Sequence, residues 1–177
     1  MTRRIAIVLP APITAWLGAA LCLMGAAACG GVSLPGEGRL EAVWTGSDKG
    51  RMAAPATAIW CREARIAQVS GLIGDTGVSL LIHPDDSVVE GRYRIVDPDS
   101  ARSSRAAAIG LRLLGQTAIV GYQSRSGWLT IERVARGRLS GQFESTAKVV
   151  TALAGTVKLS GRFQNVPVRP GGSACPP

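Results

Sequence analysis

A single histidine, His83, bounds the catalytic chemistry open to this chain. Any Ser-His-Asp or Cys-His arrangement would have to pass its proton through that one imidazole. His83 stands in Ile82-His83-Pro84-Asp85-Asp86, where an apolar alternation runs into a turn, and no Gly-x-Ser-x-Gly elbow occurs anywhere. A surface turn histidine is therefore expected, and no catalytic residue is assigned. The carboxylates Asp85, Asp86, Asp97 and Asp99 are the other reactive material. Such oxygens suit calcium, and a carboxylate pair suits glycosidic acid–base work. Their Pro-Asp and Asp-Pro neighbours are ordinary turn formers, however, and EF-hand spacing is absent. One histidine and the available cysteines cannot make a four-ligand zinc site. Without a phosphate-cradling glycine loop leading into a helix, no metal and no cofactor are expected. Trp44, Trp60 and Trp128, with Tyr93 and Tyr122, could line a lipid or sugar cleft. In a chain only 5% aromatic, they are expected instead as core anchors.

The remaining chemistry depends on compartment, which the N-terminus addresses. Arg3 and Arg4 precede an apolar run from Ile5 to Leu23, interrupted by Pro10 and Pro12, and the small residues Gly25 to Ala28 lead to Cys29. This is the layout of a bacterial secretory signal. The segment Ala26-Ala27-Ala28-Cys29 resembles a lipobox, the cleavage motif of bacterial lipoproteins, with Ala26 where that motif usually has leucine. The resemblance implies that residues 1–28 form a helical signal peptide and that Cys29 becomes diacylated. It also implies a membrane partner reached through the lipid. Gly30 and Gly31 follow the acceptor in place of the aspartate associated with inner-membrane retention, so an outer-membrane anchor is implied. Ala26 and Ala28 equally satisfy the A-x-A rule of ordinary signal peptidase, which leaves a periplasmic or secreted form as the alternative. Thr2-Arg3-Arg4 is similar to part of a twin-arginine motif, and ordinary n-region charge explains it as well.

Cys22 lies within the leader. With Cys29 acylated, Cys61 and Cys175 remain in an oxidising compartment and are expected to form a disulfide. That bridge closes 175 − 61 + 1 = 115 residues, worth about 4–5 kcal/mol in the loop-entropy model. If Cys29 kept its thiol, three cysteines would compete and the pairing would be ambiguous.

The chain has 177 residues, 46% of them hydrophobic, with formal net charge +8. Removing the leader leaves 177 − 28 = 149 residues and, without Arg3 and Arg4, 18 − 12 = +6. Chains of that size bury a core without metal staples. The arginines are scattered, and no long block of like charge appears, so nucleic acid is not an expected partner. They are expected as the solvated faces of strands.

Residues 29–38 read as a lipidated flexible tether. Residues 39–177 form one β-rich domain in which apolar and polar residues alternate. Leu40, Ala42 and Trp44 share a face, as do Val78, Leu80 and Ile82, and Leu129 and Ile131. Ala106 to Leu114 alternates through Ile109, Leu111 and Leu113 and is taken as a strand. Leu-Ser-Gly-x-Phe occurs at 139–143 and again at 159–163, which suggests neighbouring strands whose glycines admit a bend or the ring of a cross-strand Phe. Turns are expected at Gly74–Gly77, Ser124–Gly127 and Arg136-Gly137. The fold class is all-β, an antiparallel meander of roughly eight to ten strands forming a sandwich or small barrel. The Ser-Gly-x-Phe strands and Gly91-x-Tyr93 give it the texture of small all-β domains of uncharacterised bacterial lipoproteins, a resemblance that assigns no site residue. The expected function is an envelope-anchored, non-catalytic structural or binding domain with an envelope protein as partner. The alternative is a lipocalin-like carrier of a small apolar ligand, which would need an enclosed cavity.

Overall fold

The alternation becomes nine strands among the described residues. They are β1 (Gly38–Gly46), β2 (Gly50–Cys61), β3 (Ile66–Ile73), β4 (Thr76–His83), β5 (Gly91–Val96), β6 (Ala106–Leu114), β7 (Ile119–Ala135), β8 (Arg138–Val149) and β9 (Thr156–Pro170). The computed structural model describes residues 37–101, 105–114, 118–150, 154–172 and 175. The expected signal peptide, Cys29 and all but the end of the expected tether lie outside them. The strand order β1-β2-β3-β4-β6-β5-β7-β8-β9 closes on itself as a barrel. Among the described residues the fold is all-β, and of the two expected architectures it takes the barrel.

Pure antiparallel pairing is corrected at two places. β5 runs parallel to β6 (Arg94 opposite Ala106), and β2 runs parallel to β9 (Ala58 opposite Val168, Trp60 opposite Pro170). The cause is strand length. β5 has 6 residues and β7 has 17, so β5 can separate β6 from β7 at one end only. Past it, β6 and β7 pair directly from Gly110–Gln123 to Leu114–Ile119. β1 is a similar wedge: below Gly38, β2 and β9 meet. The expected turn at Ser124–Gly127 is also corrected, because those residues lie inside β7. They form an irregularity between Ser124 and Ser126 that carries the strand past the end of β5. Ser124 is fully buried there; its Oγ donates to the Val96 carbonyl (2.7 Å) and accepts from the Ile109 amide (3.0 Å). One hydroxyl thus joins β5, β6 and β7 where the wedge ends, satisfying polar groups that burial would otherwise orphan.

The inward faces make one continuous core including Leu40, Leu80, Ile95, Ile109, Leu129 and Leu139. Tyr93, Phe143 and Phe163 are among its largest fully buried side chains. The Leu-Ser-Gly-x-Phe copies do lie on neighbouring strands, with Gly141 opposite Phe163 and Phe143 opposite Gly161. A Cβ built on Gly161 would meet Phe143 Cζ at 2.5 Å, and one on Gly141 would meet Phe163 Cζ at 2.8 Å. Each ring occupies the space that the other strand's glycine leaves open.

Candidate functional site

The sequence-singled residues do not gather. His83 ends β4, half-buried, and desolvation holds its pKa below the ordinary histidine value. Asp86 pairs with Arg65 at 3.8 Å, and Asp97 pairs with Arg125. Asp97 also caps the short 3-10 turn Pro98–Ser100, accepting from the Asp99 amide at 3.1 Å. Asp97 thus stabilises its turn, and among the described residues no three His, Cys, Asp or Glu side chains converge on a metal-sized site. Cys61 and Cys175 are joined by a disulfide, with Cα atoms 5.5 Å apart. The expected acyl acceptor, Cys29, lies outside the described residues.

The aromatics divide. Trp44, Tyr93 and Tyr122 are buried, and Trp60 packs against the core from its rim. Tyr93 Oη donates to the Val89 carbonyl (3.0 Å) and accepts from the Val89 amide (3.1 Å), closing the loop before β5. Tyr122 Oη donates to Asp48 at 2.5 Å, and its pKa is pushed up to about 12, first by burial and then by that carboxylate. Trp128 is the exception. It is 45% exposed and belongs to the outer wall, which corrects its expected place in the core.

Trp128 marks the most developed surface of the barrel. In β7 its neighbours Gly127 and Leu129 follow the pleat inward, so the indole projects outward. Across six adjacent strands the register sets side by side Arg94, Trp128, Glu144, Ser160, Val43 and Arg51. One pleat along, Arg92, Thr130, Gln142, Arg162, Glu41 and Ala53 form a second row. At about 4.8 Å per strand the rows span about 24 Å. Three open clefts of about 650, 420 and 290 Å³ adjoin in pairs, the first two through Val43 and Ser160, the last two through Trp128 and Glu144, and the first and last through Gln142, so they form one trough.

Its walls mix apolar surface with polar groups that are held in place. The Arg92 guanidinium lies 3.9 Å from the Trp128 ring centroid, a cation–π geometry that also fixes the ring. Glu41 receives Arg39 Nε (2.8 Å) and Arg162 Nε (2.9 Å) on separate oxygens. The Arg162 hydrogen bond is the main reason its carboxyl titrates below the usual carboxylate range. An aromatic face, guanidinium, carboxylate, amide and hydroxyl groups stand together, while the only imidazole belongs to β4. Sequence reasoning missed this trough because each of its residues occupies an unremarkable outward position. The register between β5 and β7 assembles them, and no local pattern announced that pairing. Comparison with known proteins finds no matching family model, no matching curated protein and no matching solved structure.

Proposed function

We propose that this protein is an envelope lipoprotein, acylated at Cys29 and carried on the outer membrane. Its barrel serves as a non-catalytic binding domain that takes a polar envelope ligand, saccharide or protein, on the outer wall. The observation supporting this is the contrast between the two faces of one sheet. Inside, large side chains fill the barrel as a continuous core. Outside, an oriented indole and paired arginines line a trough. Backbone recognition by strand addition suits an open sheet edge, and ring closure leaves none among the described residues. Recognition on this wall therefore falls to side chains. The filled interior favours this reading over a lipocalin-like carrier, which holds its ligand within the barrel.

Metabolic labelling with a fatty acid, followed by membrane fractionation, tests the anchor. Label should enter the wild-type protein and be absent from Cys29→Ser. Intact unacylated protein in the soluble periplasm would count against the lipoprotein reading. For binding, titrating the protein with solubilised envelope polysaccharide should change tryptophan fluorescence, and Trp128→Ala should weaken binding about tenfold, the loss of one stacked aromatic contact. Binding unchanged by Trp128→Ala and Arg92→Ala, or an apolar molecule co-purifying inside the barrel, would redirect the assignment to the carrier.

A further inference from the structure

A second cleft, of about 470 Å³, opens at the β7–β8 hairpin and is lined by Arg133, Arg136, Arg138, Ser140 and Asn165, with Glu132 as its carboxylate. Two departures from regular pairing build it, one on each side of Ser140. On β7, Ile131 pairs with Gly141 and Arg133 with Ser140, leaving Glu132 as the extra residue of a bulge. Strict alternation after Leu129 and Ile131 would turn position 133 inward; the bulge turns Arg133 out. On β9, Leu139 pairs with Val166 but Gly141 with Phe163, and Asn165 takes φ 54° in the second bulge. The Asn165 amide donates to Ser140 Oγ at 2.9 Å, and Arg138 Nη1 donates to the Asn165 carbonyl at 2.7 Å. Bulges commonly re-aim side chains at working surfaces. Here two of them converge on three guanidiniums.

The same end of the barrel is where the chain arrives from its N-terminus. A Cβ on Gly38 would lie 2.5 Å from Val166 Cα and 2.9 Å from Pro167 Cδ, and those residues pair with Leu139 and Arg138. The chain therefore enters next to the strands that form the cleft. From Cys29 to Gly38 is 38 − 29 = 9 residues, which reach at most about 30 Å. An acyl chain on Cys29 would hold this end of the domain within that distance of a bilayer.

We propose that the Arg133–Arg136–Arg138 cleft binds the phosphate of an anionic phospholipid headgroup in the membrane that carries the protein. Arginine's planar fork matches phosphate oxygens in paired hydrogen bonds. A headgroup held there fixes the barrel with this hairpin toward the bilayer and turns the trough around Trp128 sideways. The inference rests on the acylated reading for its membrane, while the phosphate chemistry belongs to the cleft.

Arginine footprinting tests it on the mature protein as exported and purified. The protein is reconstituted in phosphatidylcholine vesicles, in the same vesicles containing phosphatidylglycerol, and in phosphatidylcholine vesicles with inorganic phosphate in solution. Phenylglyoxal modification is then followed residue by residue by mass spectrometry. The expected result is that phosphatidylglycerol slows modification of Arg133 and Arg136 about tenfold, with Arg51 on the trough wall and Arg62 on the β2–β3 hairpin little changed. Equal slowing at Arg62 and Arg136 would mean diffuse surface attraction and overturn the cleft. Equal protection by inorganic phosphate alone would overturn the headgroup assignment, and no protection in any arm would overturn the site. The intact mass read in the same experiment separates the two proposals. An acyl mass with no protection defeats the headgroup site alone, whereas a missing acyl mass defeats the lipoprotein reading itself.

Discussion

At the scale of the residue, side chains that pair by shape or by charge carry this barrel. Gly161 and Gly141 leave room for Phe143 and Phe163, so Gly161→Ala should cost about 1–3 kcal/mol in urea unfolding, the usual penalty of overpacking. In a Phe143→Leu background part of that cost should disappear, because ring and methyl compete for one space. The part due to the Glu41 carbonyl, 2.3 Å from the same built Cβ, should remain. His83 makes a pH prediction. Burial lowers its folded-state pKa, so as pH falls below about 6.5 the unfolded chain takes up the proton first. Stability should be complete above that pH and decline below it, and His83→Gln should flatten the curve below about pH 6.5 in denaturant titrations. Tyr122 acts at the other extreme. Its pKa of about 12 means that stability present below pH about 10 is lost as pH rises through that value. Asp48→Asn should bring the ultraviolet titration of Tyr122 back toward the ordinary range. The alternation legible in the sequence placed Trp44 and Tyr93 inside correctly. The same alternation, with Leu129 and Ile131 inward, puts Trp128 on the opposite face; only the scarcity of aromatics had grouped it with the core anchors.

At the scale of the element, hairpin chemistry was legible and strand exceptions were not. Arg136-Gly137 forms the β7–β8 turn with φ 51° and 69°, the left-handed pair that two-residue hairpins require. Arginine is a strained choice at the first position, so Arg136→Asn should stabilise the fold by about 0.5–1 kcal/mol, measured by thermal unfolding. The same substitution should weaken lipid-dependent protection of Arg133, separating what the turn prefers from what the cleft uses. Ser124 to Gly127 misled because serine and glycine also serve bulges. Whether such residues reverse a chain or only bend it depends on whether a partner strand continues beyond them. Here β8 does, pairing from Tyr122 through Ala135. The Ser124 staple follows the same logic: Ser124→Ala should leave the Val96 carbonyl and Ile109 amide unpaired and cost about 1–3 kcal/mol.

At the scale of the whole molecule, closure is completed beyond the start of β1 at Gly38, where β2 meets β9. The Cys61–Cys175 bridge lies beside that seam, with the Gly171 amide donating to the Trp60 carbonyl at 2.9 Å. Replacing both cysteines by serine should cost about 2–5 kcal/mol. Hydrogen exchange should quicken first at Val168 and Gly171, leaving the β7–β8 ladder slow, because loss of the bridge frees the C-terminal segment before the main ladders. Uniform acceleration across all strands would show that the bridge acts only through the unfolded chain.

The sequence by itself determined which faces are apolar and that the fold is all-β, and it marked the two Leu-Ser-Gly-x-Phe strands as neighbours. Those properties are local, or need only counting. The tertiary structure decided that the sheet closes, that β5 and β1 enter as wedges creating two parallel ladders, and which side chains of neighbouring strands stand beside Trp128. It also decided that two bulges aim separate arginines into one cleft. The physical reason is that a strand's own pattern says which residues share a face, whereas neighbours on that face come from pairing across residues distant in the chain. A one-residue bulge, invisible in composition, reverses the assignment for everything beyond it.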